Sequence, residues 1–210
     1  MKTIILIMAM ALSLTAMAED KYTEVMTKNI DALYKAKTSE ELQKSVNTFD
    51  RIANAEKEKW EPLYYSAFGN VMIAVREPEL AKRDNYLDLA KASLDKAKTL
   101  KPNDVEILAM EGFVHMIRIS VDPAARGQEY SGKAYEAYQK ALAVDPNNPR
   151  ALALMAQMEF GTAQFFKAPT TSACATAAKA IEKFDSTKPE NALAPVWGKS
   201  MTEELKAKCK

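Results

Sequence analysis

The capacity of this chain for chemistry rests on one histidine, two cysteines and a scatter of carboxylates and hydroxyls. His115 stands between Val114 and Met116 with no second histidine anywhere. A general base needs a partner held at about 3 Å, and the sequence nominates none. It reads as a core or groove histidine with its hydrogen bond satisfied. Serine and threonine are common, yet there is no G-x-S-x-G elbow, no phosphate-cradling glycine loop and no H-E-x-x-H. One His and two Cys exclude most histidine-based and ribbon-type zinc sites. Asp145-Pro146-Asn147-Asn148-Pro149 offers oxygens to a cation, but it reads equally as a turn between helices that needs no metal. Glu40, Glu41, Glu56 and Glu58 read as solvated helix faces or N-terminal helix charges. No catalytic residue, metal ligand or cofactor is therefore expected, and the chain does not read as an enzyme.

The elements that must position any binding site are helical. Of 210 residues, 48% are apolar and 27% charged, and only 6 are glycine, which disfavours turn-dense β architectures. The formal net charge of +1 argues against an obligatory nucleic-acid partner. Lys2, the apolar run Ile4 to Leu14 and the small-x-small triplet Ala16-Met17-Ala18 have the form of a secretory signal. That run falls short of the roughly 20 residues that span a bilayer. Cleavage is expected between Ala18 and Glu19, leaving a soluble chain with no membrane span. No cysteine near the cut offers a lipid anchor. The expected location is periplasmic or secreted.

A repeat follows. Ala90-x3-Leu94-x2-Ala97-x4-Pro102 recurs as Ala134-x3-Tyr138-x2-Ala141-x4-Pro146 and as Ala177-x3-Ile181-x2-Phe184-x4-Pro189, with the prolines 44 and 43 residues apart. Residues at i, i+4 and i+7 share one helix face, and the proline ends the unit because it cannot continue the hydrogen-bond ladder. A second helix follows each of the first two prolines. Leu108, Gly112 and His115 take the register of Leu152, Ala156 and Glu159, and Tyr65, Phe68, Gly69 and Met72 follow Pro62 in like spacing.

These motifs resemble the tetratricopeptide (TPR) repeat, W-x2-L-G-x2-Y, then A-x3-F, then P. The resemblance implies an all-α fold: a right-handed superhelix of helical hairpins. The expected units are a signal over 1–18, a degenerate hairpin over 19–61, and repeats over 62–104, 105–148 and 149–191. A link and a capping helix occupy 192–210. In the degenerate hairpin Ser45, Phe49 and Ile52 take the second-helix columns and Lys57 the proline's place. The repeats exceed the family's roughly 34 residues, with the excess between the two helices of each unit. Longer helices or loops are expected at Glu77 to Arg83, Val121 to Gly127 and Gly161 to Thr171. The segment Val121 to Tyr130 and the tail from Lys188 to Gly198 resemble those of exported TPR proteins of Bacteroidota, which implies a Gram-negative envelope or secreted protein of no defined activity.

The family resemblance also implies where a partner would bind. Its groove is lined by the first helices. Carried over, position two gives Leu63, Glu106 and Arg150; position five Ser66, Ala109 and Ala153; position nine Asn70, Phe113 and Gln157. A protein or peptide partner is expected there, with Phe113 as apolar anchor and Asn70 and Gln157 serving an extended backbone. Phe113 could equally fill a gap between repeats, leaving the convex face or the long segments to bind. The alternative function is a small-molecule carrier with its ligand under those segments. The carboxylate clamp of chaperone adaptors is not expected, because only Asn70 and, in part, Arg150 match it. Cys174 and Cys209 are expected to pair: both lie in the exported portion. At about 1.5 Å per residue, an antiparallel final helix carries Cys209 back alongside Cys174.

Overall fold

Four helices begin where a short polar side chain, Thr38, Asp104, Asp122 or Asn148, takes one or more of their first amide protons. The computed structural model describes residues 2–209, with side chains from residue 19 onward. The expected export signal of 1–18, and with it Ala18 of the cleavage pair, lies outside the described side chains. Among the described residues the chain forms α1 (Lys2–Lys35), α2 (Ser39–Ala55), α3 (Glu61–Arg76), α4 (Leu80–Leu100), α5 (Val105–Ile119), α6 (Pro123–Val144), α7 (Pro149–Phe165), α8 (Thr171–Ser186) and α9 (Lys199–Ala207). Thr38 and Glu41 form a reciprocal capping box at α2. The Asp104 carboxylate accepts from the Glu106 and Ile107 amides, and Asn148 accepts from Ala151. Pro149 and Pro123 occupy the first helical position, where a missing N–H costs nothing. Asp145-Pro146-Asn147-Asn148-Pro149 is thus a capped inter-helix turn. The Asp145 carboxylate accepts from the Asn147 amide, and the Asn148 amide group donates to Glu106.

Consecutive helices pack in antiparallel pairs. Helices α1, α3, α5 and α7 also touch one another in succession and form an inner layer. The small columns explain the close approach: Ala90, Ala134, Ala177, Ala97 and Ala141 are wholly buried. At Gly112 an added Cβ would overlap the buried Tyr138 ring, and at Gly69 it would collide with Val46. The all-α, TPR-like superhelix that the resemblance implies is what the chain adopts.

The extra residues of each unit lie mainly in helix. α4 and α6 run to 21 and 22 residues, and only residues 77–79 and 120–122 join them to the preceding helix. Glu77 to Arg83 and Val121 to Gly127 are therefore largely the opening turns of long helices and fold over nothing as loops. An ionic knot ties these helices together. Arg118, 8% exposed, donates to Asp84 at 2.7 Å and to Asp88 at 2.6 Å, and Arg126 donates to both Asp84 oxygens. The Arg126 hydrogen bond, aided by the charges of both arginines, holds the Asp84 carboxyl below its usual range.

Beyond α8 the chain loses regular structure over residues 187–198 and crosses the inner layer as a strap. Gly198, at φ +111°, turns it into α9; the left-handed backbone and the nearby Phe184 ring both favour glycine there. α9 packs on α8 and α7. The disulfide Cys174–Cys209 closes, with Cα atoms 5.9 Å apart.

Candidate functional site

The inner layer places the nine residues expected to line a groove close together but leaves few of them open. Ser66, Asn70, Glu106, Ala109, Phe113 and Ala153 are buried, while Leu63, Arg150 and Gln157 keep partial exposure. Ser66 donates to Asp50 at 2.6 Å, and the Asn70 amide donates to the Ser66 carbonyl. Glu106 and Arg150 serve each other: the guanidinium donates to both carboxylate oxygens, with Asn148 donating to Glu106 at 2.7 Å. Phe113 lies under Trp197 of the strap, rings stacked with centroids 5.8 Å apart. The expected open groove is therefore corrected to a partly covered one. Trp197, in a segment that no first-helix column reveals, covers it at Phe113, Ser66 is closed in by Asp50 and Ser93, and a cavity of about 430 Å³ stays open beside Glu106 and Arg150.

An open cavity lies elsewhere. A cleft of about 730 Å³ is bounded by Met116, Ile119 and Ser120 at the end of α5, by Pro123 to Ser131 on α6, and by Gln157 to Phe166 on α7. This is within the range of about 300–1,000 Å³ common for ligand pockets. Its uncharged rim includes Gln128, Ser131, Gln157 and Thr162. Phe165 and Phe166 are 77% and 72% exposed, edge to face with each other, at the end of α7. Lys167, in the left-handed region at φ 53°, ends that helix, and the Ala168 amide donates back to Ala163. Large aromatics left in water at a cleft mouth are the informative exception to burial.

Two glycines sharpen the picture. Gly127 and Gly161 sit within helices, where glycine costs roughly 0.5–1 kcal/mol relative to alanine. Unlike Gly69 and Gly112, neither has any atom within 4 Å of an added Cβ. Packing does not require them, and both line the cleft. Of the nine expected site residues, only Gln157 reaches it. Much of the remaining lining, including Gly127, Gly161, Phe165 and Phe166, lies in the long segments under which the alternative small-molecule ligand is expected, and the two helix-interior glycines and the Phe165-Phe166 doublet are its signal in the sequence.

His115 sits on another face, its ring 5.8 Å from that of Tyr130 and its Nδ1 buried without a partner. Burial lowers its pKa, outweighing the opposing charge of Glu111. The unfolded chain thus takes up a proton more readily than the folded one. Stability is expected to be full above the unfolded value of about 6.5 and to decline as pH falls through it. Urea unfolding from pH 7.5 to 5 should show this decline, and His115→Gln should flatten it; parallel profiles would contradict the assignment. Among the described residues, no three His, Cys, Asp or Glu converge as a metal site, and no helix is long and apolar enough to cross a membrane.

No protein-family model and no curated protein matches the chain. Among solved structures, the HusA haemophore from Porphyromonas gingivalis is similar, with a TM-score of 0.81 and 28% identity over 90% of this chain and 92% of that one. A thermophilic TPR protein from Thermus thermophilus superposes with a TM-score of 0.55 at 16% identity, over 84% of this chain and 90% of its own, and supports the fold alone. The chain is a TPR-like helical solenoid that resembles a Bacteroidota haemophore over nearly its whole length.

Proposed function

We propose that the protein is an exported, non-enzymatic carrier that takes a flat apolar tetrapyrrole of the haem class into the cleft between α5, α6 and α7. The observation that carries this reading is the open apolar cleft kept clear by Gly127 and Gly161, on a scaffold similar to a haemophore. The export signal over residues 1–18 fits a cargo gathered outside the cytoplasm. A planar macrocycle suits walls made of Met116, Ile119, Met158, Phe165 and Phe166, which offer apolar area and aromatic faces. The lining contains no His, Cys or Tyr, so retention rests on apolar contact more than on iron ligation. The sulfurs of Met116 and Met158 are the soft donors present, and Met116 already accepts a weak hydrogen bond from Tyr138.

Titration with iron protoporphyrin and metal-free protoporphyrin, followed by absorbance, tests this. Both should bind, within about threefold of each other. Phe165→Ser with Phe166→Ser should weaken both about tenfold or more, because burying each ring contributes on the order of 1.5–3 kcal/mol when complete. Gly161→Leu separates binding from folding: it should stabilise the helix by roughly 0.5–1 kcal/mol while filling the cleft and lowering affinity. Unchanged affinity in both variants, or no binding by the parent chain, would refute the assignment.

A further inference from the structure

The cleft between α5, α6 and α7 has no charged residue in its lining. A tetrapyrrole of the haem class carries two propionates on one edge of its ring, and a carboxylate without a partner is costly to take out of water. Seated in the cleft, such a ligand must leave that edge outside the apolar walls. Where the edge emerges depends on the proton donors at the rim.

Two hydroxyls of the lining have already placed their protons. Ser120 donates to the Ile117 carbonyl at 2.7 Å, and Ser131 donates to the Gly127 carbonyl. Ser120 in turn accepts from Arg83 Nη1 at 3.1 Å, which sets a guanidinium against the cleft wall. Arg83 comes from the first turn of α4 and is half-buried. Its Nε and Nη2 donate to the Glu77 carbonyl at 3.1 and 2.7 Å. Three bonds to neutral oxygens fix the guanidinium and leave two of its five N–H groups uncommitted, one on each terminal nitrogen.

The charges around it are otherwise matched. Arg118 and Arg126 are taken up by Asp84 and Asp88. Glu77 accepts from the Glu79 amide, Glu79 pairs with Lys82, and Asp122 caps α6 through the Ala125 amide. Among the described residues Arg83 forms no ion pair; its acceptors are a carbonyl and a hydroxyl. A cation held in place, with donors left over and no counter-ion, is suited to a charge-assisted bond with a carboxylate. Lys167 is the contrasting cation. It follows Phe166 on the α7 side of the mouth and is fully exposed on a flexible stem.

We propose that Arg83 reads the acid groups of the ligand: the tetrapyrrole seats with its propionate edge toward Ser120, where the guanidinium offers its two remaining N–H groups. The inference rests on the tetrapyrrole reading of the cleft and adds which edge of the ligand faces out and what selects a free acid over its ester.

Protoporphyrin and its dimethyl ester differ in the charge of two side chains and little else, so comparing them separates the acid groups from the ring. Each is titrated by absorbance into the parent chain, Arg83→Gln and Lys167→Gln at about 0.05 M salt, where screening is weak. Arg83→Gln should weaken the diacid about tenfold, as expected for a charge-assisted hydrogen bond, and leave the ester within about twofold. Lys167→Gln should move neither ligand by more than about twofold. If Arg83 served only as a clasp between Glu77 and Ser120, both ligands would weaken alike. That result, or a diacid loss no larger in Arg83→Gln than in Lys167→Gln, overturns the assignment and leaves the cleft reading in place. If neither ligand binds the parent, both fall together. Should Arg83→Gln lack the parent's helical circular dichroism, Lys167→Gln decides, since it lacks the other cation at the mouth. Raising salt to about 0.5 M should weaken its diacid binding at least about threefold and spare the ester; equal responses overturn the assignment.

Discussion

Glu106→Ala should lower the unfolding free energy by about 3–5 kcal/mol. The carboxylate and the Arg150 guanidinium keep 10% and 11% side-chain exposure, so removing one leaves the other as an uncompensated buried charge. Asn148, which caps α7, loses its hydrogen-bond acceptor in the same step. Against a typical stability of about 5–15 kcal/mol, this is a third or more of the total for many domains. The expectation has an internal control. Removing both charges, as Glu106→Ala with Arg150→Met, should recover most of the loss, because a buried ion pair often adds little over apolar packing. Urea titrations of the parent, the single and the double variant measure all three. A single variant within about 0.5 kcal/mol of the parent, the range of ordinary surface changes, would mean that water reaches Arg150 freely.

Breaking the disulfide, by Cys174→Ala with Cys209→Ala, should cost about 2–4 kcal/mol. The bridge spans a sequence separation of 35 residues, for which the chain-entropy argument gives roughly 4 kcal/mol. The loss should concentrate in α9 and the strap. A nine-residue helix does not persist alone in water, and α9 buries only Thr202 and Leu205. Its footing is the small cluster of Ala156, Phe160, Ala173, Ala177 and Leu205. Hydrogen exchange over residues 193–207 should therefore quicken before the rest of the solenoid responds. An unchanged urea midpoint together with unchanged exchange there would show that packing alone holds this end.

The helical fold was legible because its causes are local and repeated. The alanine columns, the prolines after each second helix, and Gly69 and Gly112 each act between near neighbours. Spacing along the chain therefore reports their place in space. The same logic put Glu106 and Arg150 in one column 44 residues apart, which makes them neighbours on successive inner helices. It could not say that they would bond to each other instead of facing a partner. The pairing of Cys174 with Cys209 was legible too, since no other thiol competes and helix rise sets the reach.

What covers each face was decided by contacts that no spacing encodes. Tyr65 meets Leu193 across 128 positions, and Tyr64 meets Trp197 across 133. The strap has no periodicity of its own, so only the folded chain shows that it covers the groove at Phe113. Likewise, repeat length located the extra residues but did not distinguish loop from helix. Asp122, three residues past the end of α5, caps α6, and the long helix that follows walls a cleft where either a longer helix or a loop was expected. Local propensity and repetition specify the helices and their order. Which surfaces stay open depends on where the unrepeated tail comes to rest, and that is settled by apolar burial and hydrogen bonding between residues far apart in the chain.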